Sequence, residues 1–426
     1  MDNEPLARRL PLTLKPDPQR TVLRPFNLAT AADGEGGDGR LHRILALLEQ
    51  LDAGTLKAEV AATKERLGGR HRAFEATLRR NLESVASLVP GVCDLDEQRA
   101  LLFGAFVTAE YSFEAAALFN PSVIPHPDQS NLEDGALRLA MSLRGIGEGH
   151  VSSITLRSLV WYGDGQLKLR EPSTFAVSPE INWLPGGGAR LICADSEDVS
   201  ESILFPVLPH QSRGLEDMRL VRLIEPDGGV RYLGTYTAVG PDGIGLEILE
   251  GHDFRTFDLW PVKGEIAHSK GGALFPRQVD GRYLMISRHD GESLWLAQSD
   301  DLVAWDVRQP LMAAHWPWEY AQIGNCGSPI ELDEGWLLLT HGVGTVRNYS
   351  IGACLLDRSD PSRVLARLRE PLLKPDDCTR DGYVPNVVYS CGGVVRGGTL
   401  LLPYGIADSY TGFAVVDVAR LLAAMG

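Results

Sequence analysis

Cysteine is sparse in this chain, and long apolar runs are missing. Six cysteines are scattered over 426 residues (Cys93, Cys193, Cys326, Cys354, Cys378 and Cys391), with no CxxC spacing among them. That excludes a disulfide framework or a zinc ribbon and reads as reduced, mostly buried thiols. No apolar stretch reaches the roughly 18 residues needed to cross a bilayer. The opening residues, Met1-Asp2-Asn3-Glu4-Pro5, carry no apolar signal core. A cytoplasmic protein is expected. Positive charge is also short: Lys plus Arg is 41 against 56 for Asp plus Glu, a net charge of −15. Such a surface repels nucleic acid and anionic membranes, so neither is expected as a partner. An anionic substrate would need a local cationic pocket. No His or Cys pair has ligand spacing, so no metal is expected.

What is present is turn chemistry. Gly 45 and Pro 26 suit a β protein with many short connections better than a helical bundle. The length implies two domains, or one large repeat domain with an extension. Residues 1–39 read as extended and turn-like, with alternation over Leu10–Leu14 and a flexible acidic linker over 32–39. Helical spacing follows in Leu41, Ile44, Leu45, Leu48 and Leu51. A second helical stretch runs from about Leu56 to Val89, its Arg66, Arg70, Arg72, Arg79 and Arg80 read as a solvated face. A third runs from about Asp96 to Leu118, with Leu101, Leu102, Phe106 and Phe113 buried. These amphipathic helices are a plausible surface for a homo-oligomer.

From Asn120 the texture changes to short β segments broken by Gly, Pro, Asp and Asn. They group into similar units that begin near Asn120, Arg219, Gly272, Ser328 and Asn386. Three or four short antiparallel strands every fifty or so residues is a propeller-blade pattern. The predicted fold is therefore mainly β. It is a five-bladed β-propeller over 119–426, preceded by a mostly helical extension over 1–118 and closed by a short helix from Val418. A β-sandwich with fortuitous spacing is the alternative.

Within this frame Gly214-Leu215-Glu216-Asp217-Met218-Arg219 stands out. Two carboxylates and an arginine sit where loop sequence gives way to an apolar strand. A carboxyl there serves as a general acid if its pKa is raised, or else forms an ordinary exposed ion pair. Propeller loops pool side chains at one mouth of a central channel. The units offer Asn120, Ser122 and Arg144; then Glu216, Asp217 and Arg219; then Lys270 and Arg288; then Asn325 and His341; then Asn386, Tyr404 and Asp408. A carboxyl flanked by cationic Lys270, Arg288 and His341 describes an anion pocket beside a proton donor, and phosphate fits it. Asn, Ser, Tyr and the tryptophans Trp316 and Trp318 suit sugar hydroxyls and sugar faces.

From Asn120 to Asp408 the chain resembles glycoside hydrolase family 130, the β-mannoside phosphorylases and related β-mannosidases. The likeness is carried by Phe119-Asn120-Pro121-Ser122, Gly214–Arg219, Tyr236-Thr237-Ala238, Lys270 with Leu274-Phe275-Pro276, and Ser299-Asp300-Asp301-Leu302 to Trp305. It continues in Gly335-Trp336-Leu337 with His341-Gly342-Val343, Asp360-Pro361, Gly382–Tyr389 and Tyr404–Asp408. The resemblance implies an inverting reaction on β-mannosides, with Asp217 as the single catalytic acid passing its proton through the sugar's 3-hydroxyl. It implies phosphate binding by Lys270, Arg288 and His341, with Tyr404 adjacent. Asn120, Ser122 and Arg144 would hold the mannosyl unit, with Glu216, Arg219, Asn386 and Asp408 as further substrate contacts. One departure is Lys270-Gly271-Gly272, where many members carry Asp soon after the lysine. No cofactor is implied beyond inorganic phosphate as co-substrate. The partners would be a β-mannoside oligosaccharide, or mannose 1-phosphate with an acceptor sugar. A β-mannosidase on the same scaffold and a non-catalytic sugar-binding propeller stay open.

Overall fold

The computed structural model describes residues 4–26, 37–376 and 380–426. The acidic linker expected over 32–39 lies mostly outside the described residues, as does Cys378. The other five cysteines are free thiols.

Helices occupy one region and strands most of the rest. The spacing of Leu41 and Leu48 gives α1 (Gly37–Glu49). In α2 (Ala53–Leu67), Asp52 caps the start by accepting from Gly54 N (2.9 Å) and Thr55 N (3.1 Å). The single helix expected from Leu56 to Val89 is two, because α2 stops at Gly68-Gly69 and α3 spans Phe74–Val85. The expected third helix is shorter. It forms α4 (Glu97–Phe106), capped by Asp96, and then gives way to the strand Thr108–Ser112. That strand pairs with Thr21–Pro25, so tertiary pairing outweighs helical periodicity there. Phe106 is exposed, whereas Leu101, Leu102 and Phe113 are buried as expected. Leu41, Leu56, Leu78 and Leu102 join Leu23 in an apolar core of their own.

The remainder is mostly antiparallel. One 11-stranded sheet holds two ladders. The first is Ala117–Pro125, Leu137–Ile146, Ser152–Trp161 and Leu167–Leu169. The second is Gly214–Ile224, Val230–Gly240, Gly243–Gly251 and Thr256–Pro261. A single parallel pair, Gly214 with Ser152, joins them. Three five-stranded sheets follow, built on Lys270–Leu274, Gln322–Asn325 and Val388–Tyr389. The last takes its outer strand, Ala7–Leu14, from the start of the chain, which pairs with Tyr410–Asp417. A closing helix α5 (Val418–Ala424) is present where the sequence predicts one. Hydrogen bonds link neighbouring units: Leu220 N to Ser122 Oγ (3.0 Å), Ile224 N to Pro276 O (2.8 Å) and Ile323 N to Glu292 O (3.0 Å). Tyr349 N donates to Asn386 O (2.9 Å), and Cys391 N donates to Pro121 O (2.9 Å), from the last sheet to the first ladder. The chain is thus mainly β, as expected.

Charge joins the amino-terminal part to the first ladder. Glu114 is fully buried and accepts from Arg20 Nη1 (3.1 Å) and from Arg157 Nη2 (2.6 and 2.7 Å). Burial, then the nearby Arg157 charge, pushes the Arg20 guanidinium down to about 10 despite its carboxylate partner. Arg72, expected on a solvated face, instead makes a two-pronged contact with buried Glu201 (both 2.9 Å). Removing one member of such a cluster leaves an unpaired buried charge. Glu114→Gln is expected to lower unfolding stability by about 3–5 kcal/mol. Chemical denaturation would check it, and a midpoint equal to wild type would contradict it.

Candidate active site

Three strands share one local device. Ala117–Pro125 shifts register between Phe119 and Ser122, Gly214–Ile224 between Glu216 and Arg219, and Lys270–Leu274 between Lys270 and Ala273. At each shift one residue is left-handed: Asn120 (φ 51°), Asp217 (φ 53°) and Gly271 (φ 74°). Such bulges bend a strand and re-aim its side chains. In a regular strand Glu216 and Asp217 would point to opposite faces; here both line one cavity of about 390 Å³. Asn120, Lys270, Gln322 and Tyr389 line it too, so strands from all five units contribute.

The cavity wall is a chain of alternating charge. Arg144 Nη2 donates to Glu216 Oε1 (2.9 Å), and Lys270 Nζ donates to Glu216 Oε2 (3.1 Å). Asp217 Oδ1 accepts from Asn120 Nδ2 (2.8 Å) and lies 3.5 Å from Arg144 Nη1. Burial pushes the Asp217 carboxyl up. Arg144, Arg219, the Asn120 amide and Lys270 together outweigh it and hold the group below the usual carboxylate range. Asp408 goes the other way: burial first, then the Asp217 charge, raises it to about 6 against Arg144 and Arg347. The site thus holds two carboxyls whose proton affinities are driven apart.

The site also holds polar atoms with no hydrogen-bond partner among the described residues. Arg288 Nε, His341 Nε2 and both polar atoms of the Asn325 side chain are buried and unpaired. Such atoms are costly unless a ligand or solvent satisfies them. His341 Nδ1 faces the Asn325 carbonyl at 3.2 Å, so Nδ1 carries the ring proton and Nε2 keeps a lone pair. Burial, with Arg288 and Arg219 close by, holds the imidazole well below its ordinary pKa. The sequence suggests a cation at His341; its surroundings instead disfavour the charged form. Two glycines shape this wall. A Cβ at Gly324 would meet the His341 ring at 2.2 Å, and one at Gly271 would lie 3.2 Å from Asn325 Oδ1 and 3.3 Å from Arg288 Nε. The departure at Lys270-Gly271-Gly272 therefore keeps that wall uncrowded.

Of the residues singled out in the sequence, Asn120, Arg144, Glu216, Asp217, Lys270, Arg288, His341 and Asp408 line the cavity. Ser122, Arg219, Asn325, Asn386 and Tyr404 do not. Ser122 Oγ accepts the Leu220 N–H that ties the two ladders. Arg219 lies behind the wall, donating to the Asp217 carbonyl (2.8 Å) and the Tyr389 hydroxyl (2.6 Å), and so braces the bulge. Asn386 offers its carbonyl to Tyr349 N. Tyr404 is buried in the core of the last sheet, with the Arg9 guanidinium over its ring at 6.0 Å. Neither tryptophan lines the cavity: Trp318 packs against Gly342 and Gly352, and Trp316 lies against His315 and Arg369. The sequence reading missed Gln322, Arg347, Tyr349, Tyr383 and Tyr389. Tyr383 and Tyr389 stand inside the Gly382–Tyr389 stretch that carries the family likeness, which was the signal available for them.

Residues 195–426 match the family model described as beta-1,4-mannooligosaccharide phosphorylase. A 1,2-beta-oligomannan phosphorylase from Thermoanaerobacter sp. (strain X514) is 35% identical over 224 residues, covering 50% of this chain and 73% of that protein. A beta-1,2-mannobiose phosphorylase of the same organism is 35% identical over 53% of this chain and 74% of its own length. Among solved structures, the beta-1,2-mannobiose phosphorylase from Listeria innocua, in complex with beta-1,2-mannobiose, superposes with a TM-score of 0.52. It is 21% identical, covering 74% of this chain and 93% of that one, and shows a shared fold. With more than half of its length inside the family model, this chain belongs to glycoside hydrolase family 130.

Proposed function

We propose that this protein is an inverting phosphorylase that cleaves β-mannosides with inorganic phosphate, reversibly, to give mannose 1-phosphate. The carrying observation is a pairing: a single cavity is lined by Asp217 together with Arg288 and His341, whose Nε and Nε2 atoms are unpartnered, with the unpartnered Asn325 amide next to Arg288 at Gly271. Phosphorylases named among the relatives, at 35% identity, support the reading. We infer further a five-bladed propeller over 119–426 behind a helical extension. The five strand ladders, the hydrogen bonds between successive units and the likeness to the Listeria structure support it. Cytoplasmic location is a proposal that rests on composition.

In this reading Asp217 is the acid, and phosphate binds against Arg288, Lys270, His341 and Asn325. Asn120, Arg144, Glu216 and Asp408 hold the mannosyl unit. Phosphate is already a nucleophile, so no second carboxylate is needed as base. The lone pair on His341 Nε2 accepts from a protonated phosphate oxygen. The depressed Asp217 pKa is resolved by the same ligand. A phosphate beside Lys270 and Arg288 offsets the positive field that keeps Asp217 ionised, and so favours its protonated form. Asp217 acts as a donor only when the anion is in place.

Two experiments test these roles. Given mannose 1-phosphate and mannose as acceptor, the wild type is expected to release phosphate. Asp217→Asn is expected to lower kcat by about 10²–10⁴-fold and to abolish the proton uptake that accompanies phosphate binding, read by calorimetry in buffers of different ionisation heat. Turnover of a mannoside at an equal rate without phosphate would instead select hydrolysis. Asp408 gives a pH test. Its folded pKa of about 6 exceeds the ordinary value, so its contribution to stability is complete below about pH 4 and is lost as pH rises through 6. Asp408→Asn cannot ionise. Its melting temperature is expected to exceed wild type above pH 6, with the gap closing towards pH 4; a gap that ignores pH would contradict the assignment.

A further inference from the structure

The mouth of the cavity carries a second pattern. Two hairpin loops from different units share one backbone form: Gly147–Val151 and Gly344–Asn348. Each opens on an extended glycine, Gly147 (φ −106°, ψ −162°) and Gly344 (φ −103°, ψ −157°). Each is closed by that glycine's N–H, which donates to the residue four further on, Val151 O (3.2 Å) and Asn348 O (2.9 Å). Each then places two residues in the left-handed region, Gly149 and His150 in one, Val346 and Arg347 in the other. Val346 is a β-branched residue at φ 53° and 87% exposed. It is strained where the sister loop uses glycine, and no burial offsets the strain.

Both loops end beside the site. Arg347 lines the cavity, and its charge acts on Asp408. The His150 ring lies 6.5 Å from the ring of Tyr383. Tyr383 also lines the cavity, and it is 77% exposed. Its backbone is fixed: Tyr383 N donates to Ser409 Oγ (2.8 Å), and Val384 N donates to Ala407 O (2.9 Å). Tyr383 therefore rides on the same segment that presents Asp408. A fixed, exposed aromatic at the mouth of a polar cavity has a flat apolar face for the C–H side of a pyranose and a hydroxyl for its polar edge. Inversion sends the leaving group away from the nucleophile, on the opposite face of the sugar ring. The phosphate wall is built from the third and fourth units (Arg288, Asn325, His341), whereas Tyr383 and His150 belong to segments next to the fifth and first.

We propose that Tyr383, flanked by His150 and Arg347, forms the subsite for the acceptor sugar, the hexopyranose that leaves in phosphorolysis and receives the mannosyl unit in synthesis. This rests on the phosphorylase reading above. The test is synthesis from mannose 1-phosphate with mannose or β-mannobiose as acceptor. Tyr383→Ala and Arg347→Ala are each expected to raise KM for the acceptor by about tenfold or more, with KM for mannose 1-phosphate unchanged within about twofold. Tyr383→Phe is expected to recover most of the acceptor affinity, because it keeps the ring face. An unchanged acceptor KM, or a rise confined to mannose 1-phosphate, would overturn the assignment. Should wild type show no phosphate-dependent turnover, the phosphorylase reading fails on its own. Calorimetric titration with β-mannobiose then still decides the subsite, since Tyr383→Ala is expected to weaken binding by a similar factor and equal binding would overturn it.

Discussion

A left-handed residue inside a strand is the constraint on which this site depends. Side chains along a strand alternate between faces, so adjacent carboxylates cannot normally serve one cavity. The bulge at Glu216-Asp217-Met218-Arg219 breaks that parity and turns Glu216 and Asp217 to the same side. Arg219 holds the distortion from behind through the Asp217 carbonyl. The same bulge in Phe119–Ser122 brings the Asn120 amide to the Asp217 carboxylate. In Lys270–Ala273 it falls on a glycine and leaves the neighbouring wall open. One backbone irregularity, repeated in three units, thus brings together a carboxylate, an amide that hydrogen-bonds to it and an uncrowded wall of unpaired polar atoms.

Electrostatics follows from that placement. The protein carries −15 overall, yet Arg144, Lys270, Arg288 and Arg347 all line one cavity with three carboxylates. Glu216 is held between Arg144 and Lys270 and so fixes the position of both cations. Asp217 and Asp408 are pushed in opposite directions by the same neighbours. Such divergence marks sites where protons are moved. His341, whose charged form burial and the nearby guanidiniums disfavour, turns an unpaired Nε2 lone pair toward the site where the sequence implied another positive charge.

Much of the organisation was legible in the sequence. Turn residues at regular spacing marked the five β units, and eight of the thirteen polar residues named at those places share a cavity. Side-chain direction was not legible. Tyr404 and Asn120 both stand in motif sequence beside strands, but Tyr404 falls on a face that packs into a sheet core. Ser122 and Arg219 became braces because a bulge shifts which neighbours point inward, and a bulge leaves no composition signal of its own. Long-range pairing was equally hidden. Nothing in Ala7–Leu14 says that it completes a sheet some four hundred residues away, and nothing in Arg72 says that it meets Glu201. Tyr383 and Arg347 were passed over because loop residues carry no periodicity to place them.

The central claim is that phosphate, and not water, takes the mannosyl group from beside Asp217. The most direct test is to run the reaction on a β-mannoside in H₂¹⁸O with inorganic phosphate and to weigh the mannosyl product. Mannose 1-phosphate with no ¹⁸O at its anomeric oxygen is the expected result. Free mannose carrying ¹⁸O, with phosphate left unconsumed, would contradict it.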